Sequence, residues 1–207
     1  MLLAAFRFLF RGFVLLVLAL VGTSIGYHWH PGPLPRFGQV VFVNDGDTLD
    51  LTPADGGRLQ GIRLASIDAP EVAHGISQPG QPYSEPAKAM LAAEVLYKTV
   101  SLNCYERDRD NRAVCDVEHD GHSVNRILVA SGLAWANQER PSYLHDSSMP
   151  ALEATARAAH RGLWAPNNAR PVEPWIWRQR CWQEHQCAVP SANAHFTLAH
   201  TLVGNPE

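Results

Sequence analysis

Acidic and basic side chains crowd into one stretch of this chain. Asp47 follows the Asp45-Gly46 pair, Arg63 lies sixteen positions on, and Ile67-Asp68-Ala69-Pro70-Glu71 adds two more carboxylates. Pro70 keeps Ala69 extended, so the segment 67–71 is expected to leave a strand as a stiff loop. Such a loop can hold carboxylates at fixed separations. Asp47 and Asp68 then suit one hard, oxygen-seeking cation such as calcium, with water and the Ala69 carbonyl completing the shell. Glu71 is placed to act as a base toward an attacking water. Arg63 and a second arginine can grip phosphate oxygens in bidentate fashion.

Each of these residues also has a plain structural reading. Asp45 and Asp47 are ordinary turn residues, since Asp-Gly is common in hairpins. Arg63 can be a strand-edge charge paired with Glu71, worth little at a surface. Asp68 can cap a turn.

The elements that must carry these residues begin with three short β runs. Residues 39–43 are β-branched, 48–52 alternate, and 58–66 hold Leu59, Ile62 and Leu64 as apolar anchors. Tight turns at Asp45-Gly46 and Asp55-Gly56-Gly57 join them into a meander. A helix is predicted over 85–98, with Ala87, Met90, Leu91 and Val95 on its apolar face and Ser84 as N-cap. Residues 100–104 and 113–117 read as a strand pair joined by the polar run 105–112. Ser123 is expected to cap a second helix, with Val124, Ile127 and Leu128 buried and Gly132 at its end. A third helix is expected over 149–161, with Pro150 in its first turn and Gly162 beyond it. The fold class is α+β: five strands in a curled sheet with three packed helices, for which an OB-like barrel is one closed arrangement.

Six short motifs in order resemble the staphylococcal nuclease (thermonuclease) family. They are Asp45-Gly46-Asp47-Thr48, Ile62-Arg63-Leu64, Ile67-Asp68-Ala69-Pro70-Glu71, Val124-Asn125, Ala130-Ser131-Gly132-Leu133-Ala134 and Arg161-Gly162-Leu163-Trp164. Asp108-Arg109-Asp110-Asn111-Arg112 stands where the family has Asp-x-Tyr-Gly-Arg. The likeness spans roughly residues 39–164. It implies an OB-type five-stranded barrel with three helices. Calcium would be held by Asp47, Asp68 and the Ala69 carbonyl. Glu71 would activate or orient water, and Arg63 and Arg112 would stabilise the transition state. It further implies hydrolysis of DNA, RNA or both, on single-stranded or locally open substrate, leaving 3′-phosphate ends. Asp110-Asn111 departs from the usual Tyr-Gly. Asn tolerates positive φ nearly as Gly does, so the turn is expected to survive. Ser84 and Pro86 are further departures before the first helix, and neither removes a catalytic group. The alternative function is a non-catalytic nucleic-acid- or protein-binding module on the same fold. A phosphodiesterase acting on another ester is a third reading.

A net charge of −3 argues against coating nucleic acid by bulk charge, though not against a local phosphate site. Arg7 and Arg11 precede an uncharged run over 13–25, read as an export segment over 1–26. Cleavage before Tyr27 and a retained membrane anchor flanked by Tyr27 and Trp29 both fit. Either delivers the rest outside the cytoplasm, periplasmic, secreted or membrane-anchored. Residues 27–37 form a linker, 38–165 the domain, and 166–207 a partly disordered extension. In that extension Trp175, Trp177 and Trp182 surround Arg178 and Arg180. These aromatics can stack on single strands or pack back onto the domain. A monomer is expected. Four cysteines behind an export signal point to disulfides. Cys104 with Cys115, across the strand pair, and Cys181 with Cys187 are the locally favoured pairings. The ten histidines are scattered and no helical His-x-x-x-His pair occurs, so a histidine metal site is not expected.

Overall fold

The computed structural model describes residues 33–166 and 170–187. The export segment, its cleavage point, most of the proposed linker and the tail beyond residue 187 lie outside the described residues. Among the described residues no helix is long and apolar enough to cross a membrane.

Five strands close into a barrel. β1 (Phe37–Val43), β2 (Thr48–Pro53) and β3 (Gln60–Leu64) form the antiparallel meander. β4 is the short strand Ile67–Asp68. β5 (Thr99–Arg107) pairs antiparallel with β1 and with β6 (Ala113–His119). Closure comes from β6 running parallel to β3, with Arg63 opposite Val114. Alternation places Val40, Leu49, Leu51, Ile62, Leu64, Val100, Ala113, Cys115 and Val117 inside. The third strand starts later than its apolar pattern suggests. Leu59 lies before it and is exposed, while Ile62 and Leu64 are in the core.

Helix α1 (Ser84–Val95) lays Ala87, Leu91 and Val95 on the barrel. Ser84 is not its N-cap. Tyr83 holds that position with φ 71°, and the buried Ser84 donates its backbone N–H to the Gln81 carbonyl. The helix also stops three residues short of its expected end. Tyr97 turns left-handed (φ 62°), because Tyr97 N–H and Val40 O, and Val40 N–H and Lys98 O, are needed to join β1. The strand β7 (His122–Ser123) leads into α2 (Val124–Ala130), whose Ser123 hydroxyl accepts from Arg126 N–H as expected. Ile127 is only half-buried, and Asn125 is fully buried in its place. The Asn125 amide accepts from Val117 N–H and donates to the carbonyls of Ala65 and Cys115. It thereby ties the end of β3 to β6 from within the core.

Strand β8 (Trp135–Ala136) pairs with β4, placing Asp68 opposite Trp135. α3 (Met149–Ala158) supports this pair, because buried Glu153 accepts from Ala136 N–H at 2.7 Å. It ends at Ala158, short of 161, and the chain turns left-handed at His160 (φ 53°). Gly132 (φ 70°) and Gly162 (φ 51°) then meet backbone to backbone. A Cβ on Gly132 would stand 2.3 Å from the Arg161 carbonyl oxygen. The extension adds the short helix α4 (Pro174–Trp177) and a π-helical turn, Arg178–Gln183. Cys104 bridges Cys115, its direct cross-strand partner, and Cys181 bridges Cys187.

Candidate active site

The turn before β2 sets the first carboxylate. Asp45 Oδ1 accepts from Asp47 N–H, and Leu64 N–H donates to the Asp47 carbonyl. The Asp47 side chain therefore points toward the exit of β3. Its Oδ2 accepts from Ala69 N–H at 2.6 Å and lies 3.0 Å from Arg63 Nη1. Its Oδ1 accepts from the Thr48 hydroxyl at 3.1 Å. Arg63 Nη2 reaches Asp68 Oδ1 at 2.7 Å. Arg63 thus bridges Asp47 and Asp68 rather than pairing with Glu71 as a surface charge. Its side chain is 15% exposed, and both carboxylates are buried.

Glu71 leaves this cluster on the stiff loop beyond Pro70. Its backbone N–H donates to Gln81 Oε1. Its carboxylate meets Arg178 from the C-terminal extension. Arg178 also grips Asp68 with both arms, Nη1 to Oδ1 at 3.2 Å and Nη2 to Oδ2 at 2.9 Å.

Arg112 approaches from the β5–β6 turn. Asp108 organises that turn, with its Oδ1 accepting from the N–H groups of Asp110 and Arg112. Asn111 takes φ 61°, so the turn keeps its shape without glycine. The Arg112 guanidinium donates to Asp108 Oδ2 through Nε at 2.7 Å and makes a long 3.5 Å contact to the Thr48 hydroxyl. Thr48 in turn donates to Asp47. Arg112 is therefore one residue removed from the acidic cluster and keeps about a third of its side chain open to solvent.

Burial dominates the electrostatics. It raises the Asp47 carboxyl to about 6 against the pull of Arg63. It raises Glu71 to about 7 against Arg178, and it pushes Asp68 up against both arginines. Burial works against the charge on Arg63 as well, but Asp47 and Asp68 outweigh it and hold that guanidinium ionised.

The donor set suits a hard cation: Asp47 and Asp68 offer only oxygen, side by side and shielded from water. As packed, those oxygens are engaged by N–H and O–H donors. Among the described residues no three His, Cys, Asp or Glu side chains converge on a metal position. The Ala69 N–H is committed to Asp47.

A family model described as staphylococcal nuclease homologue matches residues 61–166. The chain is 39% identical over 144 residues to an uncharacterized endonuclease of Escherichia coli O157:H7, covering 69% of this chain and 85% of that protein. It belongs to the staphylococcal nuclease family. A 34% identical stretch of 142 residues links it to an uncharacterized endonuclease of Haemophilus influenzae, covering 69% of this chain and 72% of the relative. A micrococcal nuclease of Shigella flexneri is 33% identical over 153 residues, with 69% and 80% covered. The closed five-stranded barrel agrees with that family's fold.

Sequence reasoning brought Asp47, Arg63, Asp68 and Glu71 to one place, with Arg112 at its rim. It missed Arg178 and Gln81. Arg178 lies outside the family-matched span 61–166. Its only signal was the cluster of tryptophans and arginines around it, which names no target.

Proposed function

We propose that this staphylococcal nuclease family member is a calcium-dependent endonuclease hydrolysing phosphodiester bonds of DNA, RNA or both. The observation that carries the reading is the buried Asp47–Arg63–Asp68 cluster, with Glu71 on its edge and Arg112 joined to it through Thr48. The endonuclease names of its relatives support it.

Asp47, Asp68 and the Ala69 carbonyl would hold calcium, which when bound supplies positive charge to draw in an anionic phosphodiester. Glu71 accepts the proton of the attacking water. As water adds to phosphorus, charge builds on the phosphate oxygens, and the P–O bond to the leaving sugar oxygen breaks as that oxygen takes a proton from solvent and departs as a hydroxyl. Arg112, with about a third of its side chain open to solvent, and Arg63, held between Asp47 and Asp68, stabilise that charge. Such contacts read phosphate rather than base, so either nucleic acid fits, single-stranded or locally open. Two disulfides favour work outside the cytoplasm, periplasmic, secreted or held at a membrane by the N-terminal segment, as a monomer.

The test incubates purified protein with single-stranded DNA and RNA, with calcium and with chelator. Cleavage is expected only with calcium. Glu71→Gln should keep the fold and lower kcat by about 10²–10³-fold, the usual cost of one transition-state group. Absence of cleavage in calcium would turn the reading to a binding module.

A further inference from the structure

Residues 172–187 are built into the wall of the site. Gln81 donates through Nε2 to the Val172 carbonyl while accepting from Glu71 N–H. The indole N–H groups of Trp177 and Trp182 both donate to the Pro79 carbonyl, at 3.2 and 3.0 Å. His74 sits edge-on to Trp182, Trp177 and Cys181 are buried, and Cys181 is bridged to Cys187. This frame seats the loop that follows Glu71 and points Arg178 into the acidic cluster.

With its carboxylates ionised, the charge there is complementary to a doubly positive guest. Asp47, Asp68 and Glu71 against Arg63 leave two negative charges. Arg178 offsets one of them, and it takes both oxygens of Asp68, one of which Arg63 also holds. Both Asp68 oxygens are thus engaged by guanidinium groups, Oδ1 by Arg63 and Arg178 and Oδ2 by Arg178. Glu139, whose Oε2 lies 3.9 Å from Arg178 Nη2, is the next carboxylate within reach of the guanidinium.

We propose that Arg178 is the resident counter-charge of this site, holding Asp68 and Glu71 in position, and that a divalent cation takes up Asp68 only by displacing the Arg178 guanidinium. Arg178 is thus a positioning residue that sets how tightly the site binds its cation. The proposal rests on the cation site of the nuclease reading. It follows from Coulomb attraction: a bidentate guanidinium and a cation compete for the same two oxygens.

Calorimetric titration of calcium into the full chain tests it, on wild type, Arg178→Gln, Arg178→Lys and the Cys181→Ser/Cys187→Ser pair, each checked for folding by near-ultraviolet circular dichroism. Arg178→Gln should bind calcium at least tenfold more tightly. Arg178→Lys should fall between, since an ammonium keeps the charge but cannot span both oxygens. Opening the disulfide frees the segment and should also tighten binding, which keeps a test in hand if Arg178→Gln does not fold. Unchanged or weaker affinity in the folded variants overturns the displacement. If that happens while wild type still cleaves DNA with calcium, the nuclease reading stands and this proposal alone fails. If no variant binds calcium, both fail.

Discussion

The three carboxylates of the site carry an unequal burden. Asp47 and Glu71 are raised by burial to about 6 and about 7, above their ordinary values of 3.8 and 4.5. In the cation-free protein a raised carboxyl contributes stability fully below its unfolded value. That contribution is lost as pH rises through 6 and 7, where the folded groups must ionise in place. On the proposed function, calcium would bind the ionised form and offset this loss. The gain in Tm on adding calcium should therefore be small near pH 5 and reach its full size above about pH 8. Thermal melts with calcium and with chelator at both ends of this range check it. An equal gain at both would mean that other groups take the ion. Arg63 shows the same logic from the cationic side. Truncating it leaves Asp47 and Asp68 buried without their shared partner, so loss of activity in Arg63→Ala would be mixed with a loss of stability of about 3–5 kcal/mol.

Among the elements, the β5–β6 hairpin couples a covalent bond to the site. Cys104 and Cys115 face each other across the ladder, beside a register shift between Cys104 and Glu106. The turn beyond them holds Arg112 three residues from Cys115. Removing the bridge by Cys104→Ala/Cys115→Ala should cost about 2–4 kcal/mol in chemical denaturation. Under conditions where this variant remains folded, kcat should also fall, because the shifted register lets the Arg112 turn move against Thr48. Denaturation combined with steady-state kinetics separates the two effects. Wild-type kcat in the folded variant would show that Asp108 alone suffices to hold the turn. The replacement of Tyr-Gly by Asp110-Asn111 belongs to the same element. Its backbone consequence is absent, since Asn111 takes the left-handed conformation, and Asp110 adds a carboxylate 3.5 Å from Arg112.

At the scale of the molecule, the formal charge of −3 leaves no bulk attraction for nucleic acid. Arg63 and Arg178 are spent on internal carboxylates, and Arg112 is shared with Asp108 and Asp110. Binding must come from a few local contacts. The affinity of calcium-loaded Glu71→Gln for single-stranded DNA should accordingly fall only shallowly with salt, with a slope of about one to three phosphate contacts. Fluorescence anisotropy across a salt series measures it. A slope of six or more would reveal a basic surface elsewhere, with the exposed Arg180, two residues beyond Arg178, the first to examine.

What the sequence determined by itself was local. The β-branched run 39–43, the alternation along 48–52, the Asp-Gly turn, the Ser123 cap, the conformation of Asn111 and both cysteine pairings were legible, because each depends on neighbours a few residues away or on a hairpin. So was the order of motifs from Asp47 to Arg112, which marked the family before any contact was known. Tertiary structure decided the rest. Ser84 lost its capping role to Tyr83, and α1 ended at Val95, because backbone groups near both ends were claimed by distant or preceding segments. Asn125, rather than Ile127, is buried, and its amide engages Val117 N–H and the carbonyls of Cys115 on β6 and Ala65 just beyond β3. Arg178 reached Asp68 across 110 positions of sequence. No local pattern encodes that approach: it is set by where Pro79 and Gln81 let the extension dock, and by the burial that makes two negative charges seek the nearest guanidinium.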